Sequence, residues 1–399
     1  VLCAVLAACG SPGSSAQDAG VQPRSRASFL LDTDMLRFDA PSGDFFIGWH
    51  QVMYTLCEVG LDGVTDSLHL DGPDQWPWRA GILAAFSGAE TVASRAFSIT
   101  AHDARHMEAA RAIGASPVGL VTNDTGQDMT IWQFFVGSFD PTIEAGLYVW
   151  TMASPTPDQE AYVAGIGLDT NMLIAESIAS RINQGEGHVA DSAPYVLNKL
   201  WGITYFMETG PTSDAETYLG VLTSEGYFSA TRDAVIFLST ASFLLSGGFL
   251  SLTRGAWDYI VDARTTVEPL GITVGDMKLF WPEVTTWLNP RCISLQASVD
   301  AAWRRTVRVR CAVDTPVVGD LTTPEVTVGG TVWLSRLGLG MEVTSHFDGF
   351  PFLKGRAEIR LSDGFSAGVE GFYGQGATMR ELREYPSGPG ASVFLQGRF

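Results

Sequence analysis

Ile293-Ser294-Leu295-Gln296-Ala297-Ser298-Val299 alternates apolar and polar residues, and Val307-Arg308-Val309-Arg310-Cys311-Ala312-Val313 keeps nearly the same period. A two-residue period sends successive side chains to opposite faces of an extended chain, so both stretches read as half-buried antiparallel strands. The pattern returns over 356–361, and further runs at 325–345, 365–373 and 391–399 are separated by Gly, Pro and Asp. From 276 to 399 the sequence therefore predicts an antiparallel β-domain of about seven or eight strands in a meander. Its apolar face can point inward, as in a sandwich, or outward to lipid, as in a barrel.

Upstream the period lengthens. Helical apolar spacing covers 44–60, 80–113, 129–153, 160–183, 191–208, 213–225 and 231–262. The charge balance shifts at the same boundary: residues 1–275 hold 31 acids against 12 bases, and residues 276–399 hold 13 of each. The expected fold class is α+β, with a mainly helical domain over 29–270 followed by an antiparallel β-meander, barrel-like in character, over 276–399.

Composition narrows the function classes. With 399 residues, 46% of them hydrophobic and only 17% charged, the chain is neither disordered nor a small binding module. A net charge of −19 argues against nucleic acid, whose phosphates need clustered Lys and Arg. The apolar content points instead to membrane lipid as a partner. One stretch, 234–253, is uncharged throughout and long enough to span a bilayer at about 1.5 Å per residue. A buried central helix interrupted by Gly247-Gly248 is the equal alternative.

The N-terminal run Val1-Leu2-Cys3-Ala4-Val5-Leu6-Ala7-Ala8-Cys9-Gly10-Ser11 is apolar with small residues before Cys9. It resembles the end of a bacterial lipoprotein signal, which implies lipidation of Cys9 and an address in the bacterial cell envelope. Residues 1–9 are then signal, and 10–28 a Gly/Ser/Pro/Gln-rich flexible linker. The closing residues Ala391, Val393, Leu395 and Phe399 resemble the terminal strand of outer-membrane barrels, which implies outer-membrane association. Cys292 and Cys311, on neighbouring expected strands, are a candidate disulfide in an oxidising compartment.

One constellation carries chemistry. Ile99-Thr100-Ala101-His102-Asp103-Ala104-Arg105-His106 places two imidazoles four residues apart, on one face of a helix and one turn from each other. That spacing suits chelation of Zn²⁺, and a carboxylate directly after the first His can serve a metal-bound water as general base. The segment resembles the zincin helix His-Glu-x-x-His. It is similar also to the membrane-embedded zinc proteases, through Ala110-Arg111-Ala112-Ile113-Gly114. The resemblance implies His102 and His106 as metal ligands, Asp103 as catalytic base in place of the family's Glu, and a later acid as third ligand. Glu176, flanked by Leu173, Ile174 and Ile178, is the expected choice, with His188 and Asp191 in reserve. A zinc-dependent, envelope-associated metallopeptidase acting on a peptide or protein is the first expectation. Because Asp is one methylene shorter than Glu, its activity is expected to be weakened. A non-catalytic envelope protein, with the β-domain as a membrane or partner surface, is the rival.

Overall fold

The computed structural model describes residues 28–32, 35, 38, 41–122, 126–140, 147–207, 213–304, 306–319, 323–345, 351–362, 365–374 and 390–398. Cys9 and nearly all of the leader and linker lie outside the described residues. The α+β division is present: helices dominate the first two thirds and a large antiparallel sheet the remainder.

Ser28–Asp32 forms the first strand, β1. Gly43–Ser67 (α1) starts on Ser42, whose hydroxyl accepts the Phe45 N–H, with Asp44 in the first turn favoured by the helix dipole. Trp76–Ala112 (α2) carries His102 and His106 in its last third. Pro117 follows it, then a small sheet of Val118–Val121 (β2), Asp128–Met129 (β3) and Leu147–Trp150 (β4), in the order β3-β2-β4. Between β3 and β4 lies Ile131–Gly137 (α3), closed by a Thr130/Gln133 capping box. Pro157–Asn183 (α4) begins with a Thr156/Gln159 box, Pro157, Asp158 and Glu160, each favourable at a helix N-terminus. Ser192–Met207 (α5), Asp214–Ser224 (α6), Arg232–Leu245 (α7) and Gly247–Asp262 (α8) complete the helices. The principal core joins Tyr54, Leu61, Ile174, Ile178, Tyr195, Leu252 and Tyr259 from α1, α4, α5 and α8.

Two expectations about the helical part are corrected. The helix expected over 129–153 stops at Gly137, and Leu147-Tyr148-Val149-Trp150 pairs with β2 in register Val118↔Trp150. Those four residues have strong β propensity, and a four-residue strand is too short to show against a helical period. The candidate span 234–253 is broken at Ser246, where α7 and α8 bend by 49°. Among the described residues no single helix is long and apolar enough to cross a membrane.

The second sheet comprises Gly271–Val274 (β5), Met277–Phe280 (β6), Glu283–Asn289 (β7), Cys292–Trp303 (β8), Val307–Gly319 (β9), Glu325–Leu334 (β10), Leu337–Ser345 (β11), Phe352–Arg360 (β12), Phe365–Tyr373 (β13) and Gly390–Arg398 (β14). Its order is β1-β14-β13-β12-β11-β10-β9-β8-β6-β5, with β7 also on β8. The meander was expected, but it does not close into a barrel, and β1 joins it from the far side of the helices, pairing Ser28↔Arg398. The proposed disulfide is absent. Cys311 lies opposite Val299, seven residues along β8 from Cys292 and so roughly 23 Å away, too far for an S–S bond.

The break at Ser246 is held from the sheet. Glu283, at the start of β7, is buried and accepts from Tyr195 Oη (2.9 Å), Ser246 Oγ (2.6 Å) and the Gly248 N–H (2.9 Å), while Lys199 Nζ lies 3.0 Å away. A carboxylate at the first turn of α8 satisfies a helix N–H and opposes the dipole, so two short helices replace one long one.

A second buried acid has a pH signature. Glu90 sits inside the α1–α2 seam, and burial, then the Asp191 charge, push its carboxyl up to about 9, with the nearby Cys57 thiol acting in the opposite direction. A raised folded-state value means that the native chain keeps a proton which the unfolded chain releases from about pH 4.5 upward. Stability from this group is complete at lower pH and is lost as pH rises towards 9. Glu90→Gln should therefore gain stability over the parent progressively between pH 5 and 9, by at most about 1.4 kcal/mol per pH unit. Denaturation midpoints at pH 5, 7 and 9 measure the difference; a gap independent of pH would show that Glu90 is ionised in the fold.

Candidate metal centre

His102 and His106 lie one turn apart on α2 and face α4, where Gly167 leaves room for both rings. A Cβ at Gly167 would stand 2.6 Å from His102 Nε2 and closer still to His106 Nε2. Each ring is fixed through its other nitrogen. Asn198 Nδ2 donates to the Pro194 carbonyl (2.8 Å), so Asn198 Oδ1 accepts from Asn171 Nδ2 (3.0 Å), and Asn171 Oδ1 is left facing His102 Nδ1 at 3.1 Å. His102 Nδ1 therefore carries a hydrogen. His106 Nδ1 likewise donates to the Val163 carbonyl. Both Nε2 atoms then present lone pairs when neutral, yet they approach to 3.0 Å. Two lone pairs at that distance repel unless a cation or a shared proton lies between them.

Asp214, the first residue of α6, completes the group. Its Oδ2 stands 3.2 Å from His106 Nε2 and 3.6 Å from His102 Nε2. Tyr205 Oη donates to Oδ2 (2.7 Å) and Tyr148 Oη to Oδ1 (2.6 Å). Burial alone would raise this carboxyl, but the adjacent imidazoles, His106 foremost, more than reverse that and hold it well below the usual carboxylate range. Tyr148 stacks on His106 with ring centres 4.1 Å apart. His102, His106 and Asp214 form the one group among the described residues with metal-ligating atoms close enough together to hold an ion.

No protein-family model, curated protein or solved structure matches this chain.

The donor set suits a divalent transition metal, zinc among them. With ligand bonds near 2.0–2.1 Å, a tetrahedral site has edges of about 3.3 Å, and the distances of 3.0, 3.2 and 3.6 Å bracket that value. Both imidazoles also donate their second nitrogen to an oxygen, the arrangement that fixes the tautomer of metal-bound histidines.

Asp103 is buried directly after His102. Desolvation pushes its carboxyl up to about 7, against the His102 imidazole and with the Asp214 charge, and its charge is also felt by both tyrosines. Glu176 is not at the site. It lies nine residues along α4 from Gly167, about 13–14 Å up the helix. There it accepts from Thr285 Oγ1 (3.3 Å) and pairs with Arg310 (3.4 Å). The reserves are engaged elsewhere as well: Asp191 with Arg181 (3.0 Å), and His188 with Asp62 (3.2 Å). Sequence reasoning missed Asp214, Tyr148, Tyr205, Asn171 and Gly167. The available signal for Asp214 was its place behind the Ser213 N-cap of an expected helix, which marks a helix start but not its neighbours.

Proposed function

We propose that this chain is a zinc-dependent hydrolase of the metallopeptidase kind, with His102, His106 and Asp214 as ligands and Asp103 as general base. The supporting observation is the convergence of two Nδ1-anchored imidazoles and one ionised carboxylate at tetrahedral edge distances. Zn²⁺ held there would polarise a carbonyl and lower the pKa of its bound water to about 7. The chain supplies the rest. Asp103, its carboxyl pushed up to about 7, would take the proton of the attacking water and pass it to the leaving amine. Tyr148 and Tyr205 keep Asp214 oriented, and Gly167 leaves the space in which the ligands converge. Peptide as the substrate rests on the resemblance of the His102–His106 helix to the zincins.

A non-catalytic metal centre is the second reading, favoured by the complete burial of His106 and the near-complete burial of His102. Elemental analysis and a peptide library separate the two. Purified chain should hold zinc near one per molecule, lost in His102→Ala, His106→Ala and Asp214→Ala and kept in Glu176→Gln. Asp103→Asn should keep the zinc and lower peptide hydrolysis roughly 10²-fold or more. Zinc retained without Asp214 sinks the ligand set, and turnover unchanged by Asp103→Asn leaves the non-catalytic reading.

A further inference from the structure

The polarity of the large sheet is the reverse of that in a water-soluble protein. From β9 to β14 the side chains of one face form apolar rows across the strands. One runs Val332, Leu339, Ala357, Val369, Val393, and a second, separated from it by the row through Gly330, Met341 and Gly355, runs Cys311, Val328, Val343, Leu353, Tyr373. This face is open: Met341 is 66% exposed, Val393 56% and Val369 53%. Every described charged side chain in these strands falls at the alternate positions, on the other face. There Arg308, Arg310, Glu342, Lys354, Arg356 and Glu370 line a cavity of about 210 Å³. Lys354 pairs with Glu370 (3.1 Å) and Arg356 with Glu358 (2.9 Å). Residues from β6 to β13 border this one cavity, so the sheet curls around its charges and turns the apolar rows outward.

We propose that the outer face of β9–β14 is embedded in the hydrocarbon core of a phospholipid bilayer. Four further features agree. Strands β10–β14 are nine or ten residues long, the length a tilted strand needs to cross a bilayer. Strands β9–β13 lie between two neighbours each and β14 between β13 and, over Phe394–Arg398, β1, so most of the backbone donors of this region are satisfied within the sheet. Connections at one end are short (304–306, 335–336, 361–364) and those at the other longer (320–324, 346–351, 374–389), the asymmetry of membrane strands. The apolar rows also cover the outside of a curl six strands wide, which a fluid solvent surrounds more readily than one folded partner. This inference does not depend on the metal centre.

Cys311 lies in the second apolar row and is the exposed cysteine among the described residues. The full chain, labelled there with an NBD maleimide and reconstituted into phosphatidylcholine/phosphatidylglycerol vesicles, tests the placement, with the Cys311→Ser chain subtracting label elsewhere. Emission should shift to the blue, doxyl-labelled phospholipid should quench it at least twofold, and aqueous iodide should leave it unchanged. A label at Ser67→Cys in the Cys311→Ser chain, at the exposed end of α1, should respond to iodide alone. Val332→Arg combined with Val369→Arg should lower vesicle co-sedimentation more than tenfold while the far-ultraviolet circular dichroism stays that of the parent. Iodide quenching at Cys311 overturns the proposal, and so does a lipid-free oligomer in which Cys311 is shielded from both quenchers.

Discussion

Gly167→Ala is expected to lower zinc affinity by roughly 10²-fold or more, although it adds one methyl group to the interior of α4 and alanine favours helix. The new Cβ would occupy the point at which both Nε2 atoms converge. The rings cannot rotate away without breaking the bonds from their Nδ1 atoms to Asn171 and Val163. Gly220→Ala is the matched control, since nothing lies within 4 Å of a Cβ there on α6. Zinc titration of both variants by calorimetry reads the difference. Equal affinities would mean that the metal, if bound, sits away from Gly167.

The second large effect is at the junction of helices and sheet. Glu283→Ala should destabilise the chain by about 3–5 kcal/mol, because it leaves Lys199 buried without its counter-charge and the α8 N-terminus without its acceptor. Glu283→Met combined with Lys199→Met should cost less than Glu283→Ala alone, since no orphaned charge remains. Thermal unfolding measures both, and protease cleavage near Ser246 should accelerate in the single variant. A loss below about 1 kcal/mol would show that other contacts hold the break.

The parts of this fold legible in the sequence are those with a long, uninterrupted period. Ile293–Val299 gave its strand away because apolar and polar residues alternate through that stretch without exception, and α2 and α4 run long enough for a helical period to dominate. What stayed hidden has a common cause. Leu147–Trp150 and Ser28–Asp32 are short strands whose partners are distant in sequence, and pairing is a property of two segments. The candidate site divides in the same way. His102 and His106 are legible because their relation is local to one helix. Asp214 reaches them from the start of another helix, and no spacing rule encodes that approach. Glu176 attracted notice as an acid among apolar neighbours, but that environment arises from packing against Thr285 and Arg310 on the sheet. The twenty-residue uncharged run was read by length, whereas Glu283, far along the chain, decides where it bends.

The pairing of β1 with β14 has a kinetic consequence. During synthesis Ser28–Asp32 emerges before any of the described helices, and its partner Phe394–Arg398 emerges after the other described strands. The helical half, rich in local contacts, can assemble in that interval, while β1 must remain an unsatisfied edge. Among the described strands this pairing closes the widest sequence separation, which makes it the slowest contact of the sheet to form. Until it happens, the first strand is the segment most open to mispairing and the natural place for a holding chaperone to act.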